Sequence, residues 1–452
     1  MMQCLTKYRF VASIVSDRLC VKTYRFESPN MTNASTVRAR RARQAQRVNL
    51  VDSGYAWARL SICLLLSTVG GAGLWVGVVT LPKIQADFGV DRADAALAYT
   101  ACMIGFGVGG VLAGRLVDRF GAFVPVFFAA FCIGIGFFLA ALSANIWQLT
   151  IVNLLIGIGA SATFAPLMAD ISQWFVKRRG TAIAICASGN YLAGVIWPMI
   201  MQQLLVIGNW RQGYLVIGVA CFVLMLPLTV ILITRSPSER EQARAARISG
   251  HTQVRHESTM PPWMVQGVLV LAGLACCIAM SMPQVHIVAY CVDLNFGVAR
   301  GAEMLSLMLA TGVISRLASG IIADKIGGVR TLLLGSVLQM ATLALYVPFD
   351  GLASLYVVSA LFGLSQGGIV PSYAIVIREY FPAHEAATRV SIVLMATIFG
   401  MSLGGWLSGI IFDVTGSYQA AFVHGVGWNL LNIALMLMLM WRVRRPNRVI
   451  VT

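Results

Sequence analysis

The sequence predicts an all-α membrane protein with twelve transmembrane helices in two pseudo-symmetric six-helix bundles. Composition is the first observation: 58 % of the 452 residues are hydrophobic, 12 % are charged and the mean hydropathy is +0.78, whereas soluble domains carry about 25 % charged residues. The second observation is a series of apolar segments that reach the roughly 20 residues a helix needs to cross a bilayer. The third is an internal repeat.

Twelve apolar segments follow one another along the chain. Helices are expected in all of them, because backbone polar groups cannot stay unpaired in lipid. The alternating pattern of a membrane β-barrel is absent. The segments span about 59–81, 95–116, 123–143, 147–171, 181–206, 212–234, 264–290, 303–323, 331–349, 353–377, 387–411 and 419–441.

A polar, proline-containing stretch divides the apolar segments six and six, which predicts a linker between two bundles. The expected organisation is a basic tail at 1–58, a bundle at 59–234, a linker at 235–262, a bundle at 263–441 and a tail at 442–452.

The basic residues are placed asymmetrically. Of the 34 lysines and arginines, 11 lie in 1–59, five in 235–262 and four in 442–452. Others fill alternate short turns, whereas the opposite turns are mostly acidic. This asymmetry follows the positive-inside rule and predicts a multi-pass protein of the cell (inner or plasma) membrane with both termini cytoplasmic. The net charge of +16 therefore indicates topology and contact with the bilayer, and no nucleic-acid partner is expected.

Several other classes of protein find no support. Residues 1–30 lack the apolar core and cleavage site of a signal peptide, and the start is left open between Met1 and Met31. The ten cysteines show no disulfide or metal spacing. No phosphate-binding loop or catalytic grouping is present. We therefore expect neither an enzyme nor an ATP-driven pump, and no metal or cofactor.

The internal repeat joins GRLVDRFG at Gly114–Gly121 to GIIADKIGGVR at Gly320–Arg330, 206 positions later. Each copy lies where an apolar segment ends in a short charged turn, and repeats of this kind are typical of secondary transporters. A charge pair in such a turn can act as a conformational latch, holding the turn to a neighbouring helix in one conformation and releasing it in the other. The paired positions are Gly114 and Gly320, Asp118 and Asp324, Arg119 and Lys325, and Gly121 and Gly327.

Two such turns at equivalent positions resemble the signature loops of the major facilitator superfamily. In the first copy, Ala122 and Phe123 stand where that family usually has further basic residues, so we expect a weaker latch there. Four longer stretches resemble the monocarboxylate and oxalate:formate transporter branch of the superfamily. They are Ser172–Asn190 (SQWFVKRRGTAIAICASGN), Met282–Gly297 (MPQVHIVAYCVDLNFG), Ser315–Gly327 (SRLASGIIADKIG) and Gly405–Phe422 (GWLSGIIFDVTGSYQAAF).

Arg316 is the leading candidate for substrate binding. It precedes Asp324 by eight residues, which places it roughly 12 Å from the end of the eighth helix, near the bilayer midplane. We expect it to be the only lysine or arginine well inside the apolar slab, where a charge costs about 2.5–3.5 kcal/mol and indicates function. Its guanidinium matches a carboxylate. The alternative is a structural arginine that bonds a helix carbonyl or snorkels. In the monocarboxylate branch, an arginine four residues before this helix's glycine binds the substrate carboxylate, and Arg316 and Gly320 match that spacing.

Two residues of this chain differ from those usual in the branch, and they narrow the range of expected substrates. Many monocarboxylate transporters have a proton-coupling aspartate one turn before the arginine, and here that residue is Gly312. Oxalate:formate antiporters add a lysine in the eleventh helix, where this chain has only Arg389 near one end. A single buried cation suits a single carboxylate.

Other polar residues on apolar segments are secondary candidates for substrate binding. Lys83 resembles a lysine of monocarboxylate transporters and would collect the anion at the outer mouth, or would be an interfacial lysine paired with Asp87. His286 would bond substrate or carry a proton, or would be a packed neutral histidine. The further predicted cavity residues are Asn190, Tyr191, Gln366 and Tyr373.

The resulting hypothesis is a secondary transporter of a small organic anion, most consistent with a monocarboxylate, that works by alternating access. Proton symport, anion exchange of the oxalate:formate type and facilitated diffusion are all open, and resemblance alone favours proton-linked uptake. Rival functions are efflux of drugs or other solutes and, in another class, a non-transporting membrane sensor. A lone midplane arginine and the expected lack of a buried acid argue against cationic drugs.

Overall fold

The computed structural model describes residues 50–175, 178–234, 260–381 and 383–442, except for the side chains of Asp118, Arg179, Asp324, Ala383, His384, Ala386 and Ala387. All regular secondary structure in these ranges is helical, and twelve helices are long and apolar enough to cross a membrane. Most of the predicted linker and of the two predicted tails lies outside the described residues.

We number the twelve helices in chain order, counting a helix interrupted by a short break as one. They are α1 (Gly54–Gly70 and Ala72–Phe88), α2 (Arg92–Phe120), α3 (Phe123–Ala141), α4 (Ile146–Ala162 and Ala165–Trp174), α5 (Arg179–Ile207), α6 (Trp210–Thr229), α7 (Pro262–Asp293), α8 (Gly297–Ile326), α9 (Gly328–Leu345), α10 (Leu352–Gln366 and Ile369–Tyr380), α11 (Ala383–Thr415) and α12 (Tyr418–Trp441).

The helices form two bundles with the same internal pairing, α1–α6 and α7–α12. In the first bundle extensive contacts join α1 to α5, α2 to α4 and α3 to α6; in the second bundle contacts join the equivalent helices, α7 to α11, α8 to α10 and α9 to α12. Each pairing in one bundle thus has its counterpart in the other. The predicted all-α fold with two pseudo-symmetric bundles is confirmed.

The repeat is visible in the backbone as well as in the sequence. Gly121 and Gly327, 206 residues apart, have φ angles of 82° and 85° at the ends of α2 and α8. Glycine adopts this region without a steric penalty. Gly89 and Asn295, separated by the same offset, both have φ near 63°, in the left-handed region that asparagine tolerates. The two halves therefore share their turn conformations even where their sequences differ.

Glycines allow the paired helices to approach closely. A Cβ at Gly105 of α2 would stand 2.2 Å from the carbonyl oxygen of Leu154 on α4, and one at Gly400 of α11 would stand 2.5 Å from Leu274 O on α7. Only glycine fits such contacts, which are typical of helix pairs in membranes. These positions pack helices within one bundle. Gly409 differs, because it faces Ala93 of the opposite bundle.

The expectation that the apolar segments hold no buried acid is wrong. Arg59 of α1 is fully buried, and its Nε and Nη2 donate to the two carboxylate oxygens of Asp170 on α4 at 2.7 and 3.0 Å. Its Nη1 donates to Ile231 O at 2.8 Å, and the guanidinium lies over Trp174. Arg316 is therefore not the only buried cation, and the apolar segments do hold a buried acid. The two charges neutralise each other inside the first bundle.

Candidate functional site

A central cavity of about 100 Å³ lies between the bundles. Helices from both halves line it, including α1, α2 and α5 of the first bundle and α7, α8 and α11 of the second. Most lining residues are apolar or aromatic, and Arg316 is the one charged residue among those identified in its wall. A mostly apolar cavity with a few polar groups is the usual form of a small-molecule site.

Arg316 lies in the cavity wall on α8 and is 4 % exposed. Its Nε donates to Gly367 O at 3.2 Å and its Nη1 to Ala187 O of α5 at 2.7 Å. No carboxylate among the described side chains pairs with it. An arginine has five N–H donors, so these two bonds leave donors for a ligand.

Tyr191 and Asn190, both predicted cavity residues, line the cavity beside Arg316. The guanidinium carbon lies 4.0 Å from the centre of the Tyr191 ring, a cation–π contact. Asn190 accepts from the indole Nε1 of Trp75 at 3.1 Å through its side-chain oxygen. The structure thus places Tyr191 of one bundle against the arginine of the other, with Asn190 and Trp75 in the same cavity wall.

Gly312, one turn before Arg316, leaves room for the Tyr191 ring. A Cβ at Gly312 would lie 3.4 Å from the Tyr191 ring, so the ring packs close to the backbone at this position. The positive charge of Arg316 therefore has an aromatic neighbour and no permanent counter-ion in the described part of the chain.

Gln366 lies one layer behind the cavity wall. Its side-chain oxygen accepts from Gln284 Nε2 at 2.7 Å, and both residues are almost fully buried. Gln284, not Gln366, borders the cavity. Sequence reasoning missed Gln284, although a polar residue between Pro283 and His286 in an apolar helix was the signal that could have found it.

Three predicted candidates lie away from the cavity. Tyr373 is fully buried, and its hydroxyl accepts from Asn432 Nδ2 at 2.8 Å. Lys83 is exposed beside a shallow surface depression that it shares with Asp87 and Trp210. His286 is fully buried and bonded to protein groups through both ring nitrogens.

The bundles are joined at the end formed by the α1–α2, α7–α8 and α11–α12 turns, which we call the acidic end. Arg92, at the start of α2, donates to both carboxylate oxygens of Asp293 on α7 at 2.8 and 3.1 Å and to Tyr418 Oη at 2.7 Å. The guanidinium lies 4.4 Å from the centre of the Phe412 ring. Asp413 accepts from the backbone N–H of Arg92 at 3.0 Å. A carboxylate at a helix N-terminus is stabilised by the helix dipole.

His286 extends this network into the second bundle. Its Nε2 lies 2.7 Å from Gly405 O and its Nδ1 lies 2.9 Å from Tyr418 Oη. A carbonyl oxygen only accepts, so in the neutral ring Nε2 carries the hydrogen and Nδ1 accepts from Tyr418. The Tyr418 hydroxyl oxygen then accepts the hydrogen bond from Arg92. A continuous chain of hydrogen bonds joins His286 to the contact between the bundles.

Further hydrogen bonds between the bundles lie between the cavity and the acidic end. Ser306 Oγ donates to Val195 O at 3.0 Å. The hydroxyl of Thr100 donates to Ser402 O, and the hydroxyl of Ser402 donates to Thr100 O. At the opposite end, formed by the α2–α3 and α8–α9 turns and called the basic end, the bonds of Arg59 to Asp170 and of Gln266 to Arg389 O join helices of the same bundle.

A family model described as Major Facilitator Superfamily matches residues 60–354 and 304–451. The chain belongs to the major facilitator superfamily. Monocarboxylate transporter 13 from Bos taurus is 27 % identical over 392 residues, which cover 84 % of this chain and 88 % of that protein. MFS-type transporter opdF from Penicillium oxalicum is 24 % identical over 302 residues, which cover 65 % and 69 %.

A solved structure shows the same fold. A bacterial homologue of the human lysosomal transporter Spinster superposes with a TM-score of 0.68 at 14 % identity, covering 86 % of this chain and 98 % of that one. The predicted resemblance is confirmed: this is a multi-pass membrane transporter of the major facilitator superfamily, near its monocarboxylate branch.

The superfamily's signature turns lie at the basic end. Arg119 and Lys325 are exposed, and the side chains of Asp118 and Asp324 lie outside the described ones. Neither Gly114 nor Gly320 would bring a Cβ within 4 Å of another atom. In the second turn, Glu379 of α10 accepts from Gly328 N at 2.8 Å, which ties α10 to the N-terminus of α9. The latch stays a prediction.

The described residues contain no group of three or more histidine, cysteine, aspartate or glutamate side chains placed to hold a metal ion. All eight described cysteines are free thiols.

Proposed function

We propose that this transporter carries a monocarboxylate and that Arg316 binds its carboxylate. One observation carries the proposal: the guanidinium is 4 % exposed, lies in the wall of the central cavity, and has no carboxylate partner among the described side chains. Carbonyl oxygens and an aromatic ring stabilise the cation without neutralising it. An anionic ligand would complete the site.

The energetics favour an anion over a neutral or cationic solute. A buried charge costs several kcal/mol unless it is paired and hydrogen-bonded. A carboxylate can form parallel charge-assisted bonds with a guanidinium, so its binding recovers part of that cost. A cation would meet repulsion in a cavity whose one identified charge is positive. The buried acid Asp170 does not alter this, because Arg59 neutralises it.

Transport would follow alternating access. We propose that the basic end faces the cytoplasm, as the positive-inside rule predicts, and that the Arg92 network holds the cavity closed on the outer side. Arg316 belongs to the second bundle, yet it donates to Ala187 O of the first. A bound carboxylate would compete for the same guanidinium, which couples substrate binding to the contact between the bundles.

Proton coupling requires a group that can carry the proton. No acidic side chain is among the residues identified in the cavity wall, so the candidate proton carriers are the substrate and His286. A proton on His286 would make Nδ1 a donor and would force the Tyr418 hydroxyl to turn away from it. This rearrangement would reach Arg92 directly, and it supports proton-linked transport over exchange or facilitated diffusion.

The test is uptake of labelled monocarboxylates into proteoliposomes, with and without an inward proton gradient. We expect Arg316→Gln to lose at least about tenfold in uptake, because a charge-assisted bond contributes about 1.5–3 kcal/mol. Arg316→Lys should recover little, since lysine lacks the planar fork. Arg300→Gln is the matched control, because Arg300 lies on the same helix and is 52 % exposed. Equal uptake by Arg316→Gln and wild type would refute the proposal.

A further inference from the structure

The chemistry of the cavity wall points to a substrate with a large apolar body. Of its lining residues, five are aromatic and three are methionines, and they come from both bundles. Binding an acid with no apolar body would leave these surfaces in contact with water. The aromatic and methionine residues are Trp75, Tyr99, Met103, Phe106, Phe164, Tyr191, Met280 and Met401.

Asn190 presents a hydrogen-bond donor to this space. The indole N–H of Trp75 can only donate, and it lies 3.1 Å from the Asn190 side-chain oxygen. The same N–H also lies 3.0 Å from the backbone oxygen of Asn190. With its side-chain oxygen on this N–H, the amide has its NH₂ group at the opposite side. That group makes no hydrogen bond with the described residues and is not enclosed by them. The donor therefore lies free in the wall next to Tyr191.

Gln284 presents a group that can either donate or accept. It is 1 % exposed, borders the cavity and is fixed at one end by the amide of Gln366. The other end of the Gln284 amide has no hydrogen-bond partner among the described residues. Oxygen and nitrogen of an amide are interchangeable in such a pair. If both amides turn together, the Gln284–Gln366 bond is kept and the group facing the cavity changes from C=O to NH₂.

The Gln366 amide is otherwise unsatisfied, since its Nε2 has no hydrogen-bond partner and is buried. Buried polar groups without partners are uncommon in native structures, and here the arrangement holds Gln284 in one place. Gln366 is thus a positioning residue that acts through Gln284.

Building on the proposed function, we infer that the substrate is a monocarboxylic acid with an aromatic or similarly bulky apolar body and one further hydrogen-bonding oxygen. Arg316 binds the carboxylate, the aromatic and methionine side chains enclose the body, and Gln284 with Asn190 binds the additional oxygen. Gln284 determines specificity, because the end of its amide that has no protein partner binds the additional oxygen of the substrate.

Binding of labelled acids to the purified full-length protein tests the body of the substrate. The probes are acetate, phenylacetate, and the hydroxylated acids mandelate, 3-hydroxyphenylacetate and 4-hydroxyphenylacetate. Burial of a phenyl ring predicts that phenylacetate binds at least about 30-fold more tightly than acetate. At least one hydroxylated acid should bind more tightly than phenylacetate. A preference for acetate, or no discrimination, would overturn the inference.

Variants test the role of Gln284. Gln284→Met keeps the size of the side chain and removes both polar groups, so the preference for the hydroxylated acid over phenylacetate should disappear while phenylacetate binding persists. Gln366→Met should reduce the same ratio, because Gln284 loses its fixed orientation. Gln339→Met is the control, since Gln339 is a fully buried glutamine that bonds Cys276 O and is not among the residues identified in the cavity wall.

The outcomes separate this inference from the proposed function. If short acids bind and depend on Arg316 while aryl acids do not bind better, the inference fails and the monocarboxylate proposal stands. If no acid binds in an Arg316-dependent way, the proposed function fails. If Gln284→Met weakens all acids by one common factor, as a purely structural role predicts, Gln284 does not determine specificity.

Discussion

Replacing Arg92 by methionine removes the guanidinium that joins the bundles at the acidic end. The variant keeps an unbranched apolar side chain against Phe412, which limits the loss of packing. It removes the paired bonds to Asp293 and the bond to Tyr418, all of which cross from the first bundle to the second. The backbone N–H that bonds Asp413 is retained.

The magnitude follows from the burial of the partners. Asp293 is 31 % exposed and Arg92 is 8 % exposed at the side chain, so we assign their ion pair about 1 kcal/mol, as for a pair near the surface. The charge-assisted bond to buried Tyr418 adds about 1.5 kcal/mol. The total of about 2.5 kcal/mol shifts the equilibrium between closed and open acidic ends by about 60-fold, since 1.4 kcal/mol is tenfold.

Hydrogen–deuterium exchange of the full-length protein in nanodiscs measures this shift. We expect faster exchange in peptides covering 86–96 and 408–420, and slower exchange at the basic end, because alternating access opens one end as the other closes. Arg211→Met is the matched control. Arg211 pairs with Asp87, the repeat partner of Asp293, but both residues belong to one bundle. Faster exchange at both ends of Arg92→Met would show general destabilisation and would refute the reasoning.

Two further predictions concern the buried charges. Arg59→Met leaves the Asp170 carboxylate buried and unpaired, so thermal unfolding in detergent should show a free energy of unfolding lower by about 3–5 kcal/mol. Adding Asp170→Leu should restore most of this loss. Equal stability of the single and double variants would contradict this account. Gly312→Asp places a carboxylate one turn from Arg316, where the monocarboxylate branch has its proton-coupling aspartate. While this carboxylate is ionised it competes with the substrate, so monocarboxylate binding should weaken at least about tenfold at neutral pH and recover at acidic pH. Gly312→Ala, whose Cβ fits beside Tyr191, should bind normally at both pH values, and equal binding by the two variants at neutral pH would contradict this account.

Much of the fold could be predicted because it depends on properties that are local in sequence. Segment length and apolarity set the helices, and the 206-residue repeat predicts the pairing of the halves. Gly121 and Gly327 were recognised as turns, and both have positive φ. The end of α1, the start of α8 and both ends of α11 were placed less accurately, since these helices continue beyond the apolar segments into polar residues.

The candidate site was predicted in part. Arg316, Tyr191 and Asn190 were found because a polar residue in an apolar helix is conspicuous, and the structure places all three around the cavity. The same signal also selected Tyr373 and His286, which are bonded inside the protein. Sequence could not separate these cases, because a polar residue on an apolar helix faces either a cavity or a partner, and only packing decides which.

Arg92 and Arg59 illustrate the other limit. Both stand near the ends of apolar segments, where a basic residue ordinarily meets water or lipid headgroups, so the sequence gives no signal that either one is buried. Their partners Asp293 and Asp170 lie 201 and 111 residues away. Such distant pairs become neighbours only when the helices assemble.

The sequence by itself determined that this protein is a twelve-helix transporter of duplicated design with a cation near the middle of α8, because hydrophobic length, repeated motifs and charge placement are written along one chain. Only the tertiary structure decided which polar groups reach the cavity, which charges neutralise each other, and which residues join the bundles. Those outcomes depend on side chains from different helices meeting within about 3 Å, the range of a hydrogen bond, and nothing in the linear order of residues sets that distance.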